Sequence, residues 1–147
     1  MSDPATWTNI DDAEFLTMVG PLQRNHVGGG TGRFRFLAEP KHRNRNGVVQ
    51  GGMLMTFADR SLGMTAAQDR PGRRQATVQL DMHFVSAAPI GRHIEMDCKV
   101  VRETRNLVFV EGTLHSGGRV VATAKGLWAI LVAGDEPPVP GGITPAG

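Results

Sequence analysis

The chain has 147 residues, 40% of them hydrophobic, enough apolar material to bury one core, so a single domain is expected. Its 16 basic and 14 acidic residues leave a formal charge of +2 without a basic tract, which argues against nucleic acid as a partner. No window approaches the ~20 apolar residues of a membrane span, the acidic N-terminus lacks a signal-like apolar segment, and the single cysteine, Cys98, excludes an internal disulfide; a soluble cytoplasmic protein is expected.

Asp11 to Val19 places Asp11, Asp12 and Glu14 ahead of Phe15, Leu16, Met18 and Val19 and stops at Gly20-Pro21, the pattern of a short amphipathic helix. From Gly32 to Ala38, Phe34 and Phe36 alternate with Arg33 and Arg35 at the period of a half-buried strand, which Pro40 ends. Met53 to about Gln68 is too long for an ordinary strand, and Asp59 and Arg60 are its only charges. A helix apolar on nearly every face has to be surrounded by protein.

Four strand-like runs follow: Ala76–Ser86, His93–Glu103, Leu107–His115 and Arg119–Leu131. The turns Pro89-Ile90-Gly91, Thr104-Arg105-Asn106 and Ser116-Gly117-Gly118 between them predict consecutive antiparallel hairpins. In the first run Val78, Leu80, Met82 and Phe84 share a face opposite Gln79, Asp81 and His83. Ile94, Met96, Cys98 and Val100 repeat the rule in the second, which makes Cys98 a buried structural thiol. One domain over residues 1–132 is expected, with a flexible Pro/Gly-rich tail over 133–147.

The most informative stretch is NRNGVVQGGMLMTFAD, Asn44 to Asp59, in which a polar, glycine-bearing loop runs into the apolar helix. A strand, a helix and four antiparallel strands predict an α+β fold with a curved antiparallel sheet wrapped around a long central helix. That architecture, with this loop, resembles the hotdog fold, and the stretch is similar to the signature of the phenylacetate-pathway type of acyl-CoA thioesterases, roughly Asn-x-x-Gly-x-x-His-Gly-Gly before an apolar helix bearing Asp or Glu. Asn44, Gly47, Gly51, Gly52 and Asp59 meet it, and Gln50 stands where the family usually has histidine. The likeness covers most of residues 30–131.

Thioester hydrolysis needs a group that activates water or attacks the carbonyl, and donors aimed at the oxygen that becomes negative. The first amides of a helix lack an intrahelical acceptor and glycine allows close approach, so the N–H of Gly51 or Gly52 can hold an oxyanion; glycines that merely permit tight packing are the alternative. Asp59, with Met55, Phe57, Ala58 and Leu62 around it, is costly to bury without a role or a partner, the alternative being an ion pair with Arg60 or another arginine. As general base it would deprotonate water; as nucleophile it would form a mixed anhydride; both stay open. Asp59 lies eight residues beyond Gly51, ~12 Å along one helix, too far for one chain to bring both to one carbonyl easily. Two antiparallel copies of the helix across a two-fold axis meet the requirement, so a homodimer with composite sites is expected, as the resemblance also implies, and a homotetramer stays open.

The resemblance further implies that Asn44 positions the thioester or the water and that Thr77 orients the water near Asp59; a turn role for Asn44 and a plain strand role for Thr77 are the alternatives. Strict alternation puts Thr77 on the polar face with Gln79, so it must sit at the strand's end to reach the site. Gln50 can replace a histidine's hydrogen bonds but not its titration, which keeps a non-catalytic acyl-CoA-binding or sensing protein as the second reading. A hydratase would need the missing motif histidine, and all five histidines read as non-catalytic. The expected substrate is acyl-CoA, with no cofactor, metal, nucleic acid or membrane partner. Met53, Met55, Phe57 and the Phe15–Val19 helix should form an apolar acyl pocket, while Arg43 and Arg45, or the Arg70–Arg74 run with Arg74, could meet CoA phosphates, solvated surface arginines being the alternative.

Overall fold

The apolar run that begins at Gly51 folds as one long helix, and nearly everything else in the chain is sheet that covers it. The computed structural model describes residues 6–132. In chain order the elements are β1 (Thr8–Asn9), α1 (Phe15–Val19), β2 (Leu22–Gly28), β3 (Thr31–Leu37), a 3-10 turn at Pro40–His42, α2 (Gly51–Ala67), β4 (Arg74–Phe84), β5 (His93–Glu103), β6 (Leu107–Ser116) and β7 (Arg119–Leu131). The strands form one antiparallel seven-stranded sheet in the order β1-β2-β3-β5-β6-β7-β4, which leaves β1 and β4 at its edges.

The expected curved antiparallel sheet around a central helix is therefore present. The tail over 133–147 lies outside the described residues. Two strands escaped the sequence reading: β1 is two residues long, and β2 is largely polar, joined to β3 by a turn at Gly28–Gly30. α1 is shorter than the predicted Asp11–Val19 because Asp12 spends its carboxylate on Arg60 instead of starting a helix. Among the described residues no helix is long and apolar enough to cross a membrane.

Alternation explains how the inner face of the sheet is filled. Phe34 and Phe36 of β3, Ile94, Met96 and Cys98 of β5, Val108, Val110 and Leu114 of β6, and Ala122, Ala124 and Trp128 of β7 are all buried. From α2 they meet Met53, Leu54, Phe57, Ala58, Leu62 and Ala66, and the rings of Phe57 and Phe36 pack edge-on with centroids 4.8 Å apart. Gly126 is needed for this arrangement, since a Cβ there would lie 2.6 Å from Cη2 of the Trp128 ring and 2.9 Å from the Gln79 carbonyl. The outer face carries the charged partners, as in the row Asp81, Lys125, Glu111 and Lys99 across β4, β7, β6 and β5.

The expectation that α2 is surrounded on every side needs correction. Gly52, Met55, Thr56, Asp59 and Arg60 are exposed or half-buried, and their three- and four-residue spacing makes them one stripe of the helix that the chain's own sheet leaves uncovered. The face predicted for β4 is corrected too. Leu80 and Met82 are half-buried, but Val78 and Phe84 are 57% and 53% exposed, because β4 is an edge strand among the described residues.

Cys98 sits in the core with Thr65 beside it, and burial pushes its thiol up to about 12. Because the thiolate is the reacting species, the folded protein should resist iodoacetamide at pH 8 and take up one equivalent in denaturant. Mass spectrometry before and after unfolding checks this; rapid labelling of the native chain would contradict the packing.

Candidate active site

The open stripe of α2 presents Asp59 to the first residues of β4. Thr77 Oγ1 donates to Asp59 Oδ1 at 2.7 Å, and Oδ2 has no partner among the described residues. Strict alternation had placed Thr77 on the wrong face, and a β-bulge removes the conflict. Thr77 pairs with Trp128 and Gln79 with Leu127, the very next residue of β7, so Val78 is an extra residue in the ladder. Thr77 thus shares the helix-facing side with Trp128 while Gln79 shares the outer side with Leu127. It does so from the fourth position of an eleven-residue strand, not from its end.

The alternative of an ion pair between Asp59 and Arg60 does not occur. Arg60 Nη2 and Nε approach Asp12 Oδ1 at 2.8 and 2.9 Å, and the Asp12 side chain is only 8% exposed. Sequence offered no signal for this pair, whose members are 48 residues apart. Asp59 itself is half-buried rather than enclosed, and it stands where two clefts meet. One, of about 510 Å³, is walled by Phe15, Leu16, Met55 and Leu80. The other, of about 470 Å³, runs between Gly63, Met64, Arg73, Gln75, Thr77 and Trp128. A larger hollow of about 730 Å³ lies on the outer face of the sheet among Asp81, His83, Lys99 and Glu111, remote from these groups.

The helix start is built by the loop before it. Asn44 Oδ1 accepts from the amides of Asn46 at 2.8 Å and Val48 at 3.3 Å, so this side chain shapes the turn. Buried His42 accepts from the Glu39 amide at Nδ1, donates from Nε2 to the Val19 carbonyl at 2.6 Å, and its own carbonyl receives the Gln50 amide. That histidine is fully used in structure. Gln50, the N-cap, is exposed and makes no side-chain cap, while the Met53 amide bonds the Gln50 carbonyl. The amides of Gly51 and Gly52 therefore carry the helix's positive end with no side chain of the cap upon them. Exposed Phe84 lies beside Gly51, with its ring edge 3.5 Å from where a Cβ would be.

Of the predicted pocket residues, Met55 and the α1 residues Phe15 and Leu16 line the apolar cleft, but Met53 and Phe57 are buried in the core and face neither cleft. Arg43 and Arg45 are exposed beside the loop. Arg74 lines the second cleft, as does Arg73, which sequence reasoning did not separate from its neighbours. Arg73 Nη1 is 2.9 Å and Arg70 Nη1 3.4 Å from Glu103. Among the described residues no His, Cys, Asp and Glu group is arranged to hold a metal ion.

Residues 46–123 match the thioesterase superfamily, a span that holds the Gly51-Gly52 pair, all of α2 and Thr77. The chain belongs to this superfamily. It is 36% identical to PA0474 of Pseudomonas aeruginosa, whose name marks it provisionally as an esterase, over 61% of this chain and 68% of the relative. The same hotdog fold is seen in a single-residue variant of the phenylacetic acid degradation protein PaaI from Thermus thermophilus, 20% identical with a TM-score of 0.72 over 80% of this chain and 98% of that one. It is seen again in smu.793 from Streptococcus mutans bound to acetyl CoA, 18% identical with a TM-score of 0.73 over 82% and 94%. Membership in the superfamily and the esterase-named relative make the chain a hydrolase of thioesterase type.

Burial pushes the Glu103 carboxyl up, but hydrogen bonds and charge from Arg73 and Arg70 outweigh it and hold the group below the usual carboxylate range. A depressed carboxyl adds stability that is present above its unfolded value near 4.5 and is lost as pH falls through the folded value. The Tm difference between the native chain and Glu103→Gln should therefore be larger at pH 7 than at pH 3.5, as differential scanning fluorimetry at both values checks.

Proposed function

We propose that this protein hydrolyses an acyl-CoA thioester to the free acid and CoA, with Asp59 as general base or nucleophile and the Gly51 amide as oxyanion donor. The observation that carries the reading is the Thr77–Asp59 hydrogen bond, on the one stripe of α2 that the sheet leaves open, at the meeting of two clefts. Thr77 fixes one carboxylate oxygen and leaves the other for a water or for the thioester carbon. As base, Oδ2 takes the proton of a water whose oxygen attacks the carbonyl carbon, and the carbonyl electron pair moves to its oxygen. That oxygen, now negative, accepts from a helix-terminal amide, and collapse expels the CoA thiolate, which is protonated on release.

Gly51 and Asp59 are ~12 Å apart on one helix, so the amide is supplied by a second copy and the working unit is a homodimer. What supports this is the uncovered stripe of α2, together with the exposed apolar Phe84 and Val78 on the edge strand. Two clefts lead from Asp59 for the acyl group, and a wholly apolar chain lies in the one walled by Met55, Phe15, Leu16 and Leu80. The CoA-bound relative of the same fold supports the thiol carrier, and exposed Arg43 and Arg45 are the cations offered to its phosphates. The assignment to the cytoplasm belongs with this reading, since CoA esters are its substrates.

Thiol release from short, medium, long and aryl acyl-CoAs tests the activity. Asp59→Asn should lose ~10²–10⁴-fold in rate. Gly51→Pro deletes the amide at the first helical position, where proline's fixed geometry is tolerated, and should lose ~10²–10³-fold while remaining folded. Co-refolding the two inactive variants in equal amounts should restore about a quarter of native activity, because half the dimers are mixed and each of those has one intact site. No recovery would sink the shared site, and a native chain that binds CoA esters without cleaving any would install the acyl-CoA-binding reading.

A further inference from the structure

The cleft beyond Thr77 ends in polar groups that nothing among the described residues satisfies. Arg73 is the buried cation of the arginine run, with its side chain 8% exposed. Its Nη1 reaches Glu103, but Nε and Nη2 are buried and have no hydrogen-bond partner among the described residues. Arg70 shares the same carboxylate, so two guanidiniums face one Glu103 and one positive charge is left over. Gln75, also on this cleft, donates from Nε2 to the Gly63 carbonyl, which fixes the orientation of its amide, and its Oε1 is buried without a donor. A half-used guanidinium fork and an unfilled amide oxygen at one end of a cleft are costly unless a ligand occupies it.

We propose that this end of the cleft binds a carboxylate at the far end of the acyl group, so that the preferred substrates are monothioesters of dicarboxylic acids; the inference rests on the thioesterase reading. A carboxylate is planar, carries the single negative charge that the cluster lacks, and can accept from Nε and Nη2 side by side. A water held by that carboxylate supplies the donor for Gln75 Oε1. CoA phosphates present the same kind of oxygen, but a diphosphate carries more charge than the one that is left over here. Asp59 and Thr77 line this same cleft, which puts the thioester carbonyl at its other end.

The test compares glutaryl-CoA with hexanoyl-CoA. Bound to Asp59→Asn, which keeps the esters intact, glutaryl-CoA should be at least about tenfold tighter by titration calorimetry, about 1.4 kcal/mol. For the native chain kcat/KM should favour it in the same sense. The preference should persist in the N-acetylcysteamine thioesters of the same two acids, which have no phosphate, and should collapse toward one in Arg73→Gln. Arg73→Lys keeps the charge without the fork and should lower the preference in part, which serves if the glutamine variant does not fold. Equal binding and turnover of the two esters would overturn the inference and leave the thioesterase reading standing. A binding preference without turnover would do the reverse. Loss of affinity for both CoA esters alike in Arg73→Gln, with the N-acetylcysteamine esters unmoved, would assign Arg73 to phosphate and also overturn it.

Discussion

The rotation of α2 about its own axis is the constraint on which the rest depends. Phe57, Ala58, Leu54 and Leu62 are buried under the sheet, and the ring of Phe57 is locked against Phe36. A turn of one residue, ~100°, would expose that ring and drive charged side chains toward Ile94 and Met96. Losing one buried aromatic costs about 1.5–3 kcal/mol and burying a charge unpaired costs more, so the apolar faces fix the heading of the carboxylate. The open stripe is what remains once the core is satisfied.

Given that heading, the surroundings decide what Asp59 can be used for. Its neighbour Arg60 is taken by Asp12, and the partner of Asp59 is the hydroxyl of Thr77, which donates without supplying charge. The bulge at Val78 makes this possible by turning Thr77 inward while Asp81 and His83 stay outward. A straight β4 would have sent Thr77 to the outer face with Gln79. One inserted residue in the ladder thus turns a hydroxyl of an edge strand onto the carboxylate of the helix.

Much of this was legible in the sequence, and the failures have physical causes. Phe34 and Phe36, Ile94 and Met96, and the glycine turns announced their strands because period-two patterning and turn chemistry are local. His93–Glu103 and Arg119–Leu131 were placed with their observed ends. β2 was missed because it is a mostly polar outer strand whose pairing with β3 carries it. Asp59 and the Gly51-Gly52 pair stood out by their motif spacing, and Thr77 was singled out only by the family resemblance. The bulge, the Asp12–Arg60 pair and the half-open Arg73 could not, since each depends on chain segments brought together only by folding. Met53 and Phe57 were assigned to the pocket because a helix apolar on most faces does not declare which face the sheet takes.

The three features that look incomplete in one chain lie along the same line. β4 runs beside α2 in the opposite direction: its Phe84 end touches Gly51 at the helix start, and its Thr77 end touches Asp59 two turns later. Among the described residues β4 is paired on one side only, and an edge strand pairs most simply with its own two-fold copy, antiparallel. Centred near Leu80, that pairing would set Thr77 of one chain opposite the Phe84 end of the other. The uncapped amides beside Phe84 would then face the carboxylate beside Thr77. The exposed apolar residues of β4 and the open stripe of α2 would be covered in the same step. In that arrangement, the register that hides Val78 and Phe84 would also be the register that joins amide to carboxylate.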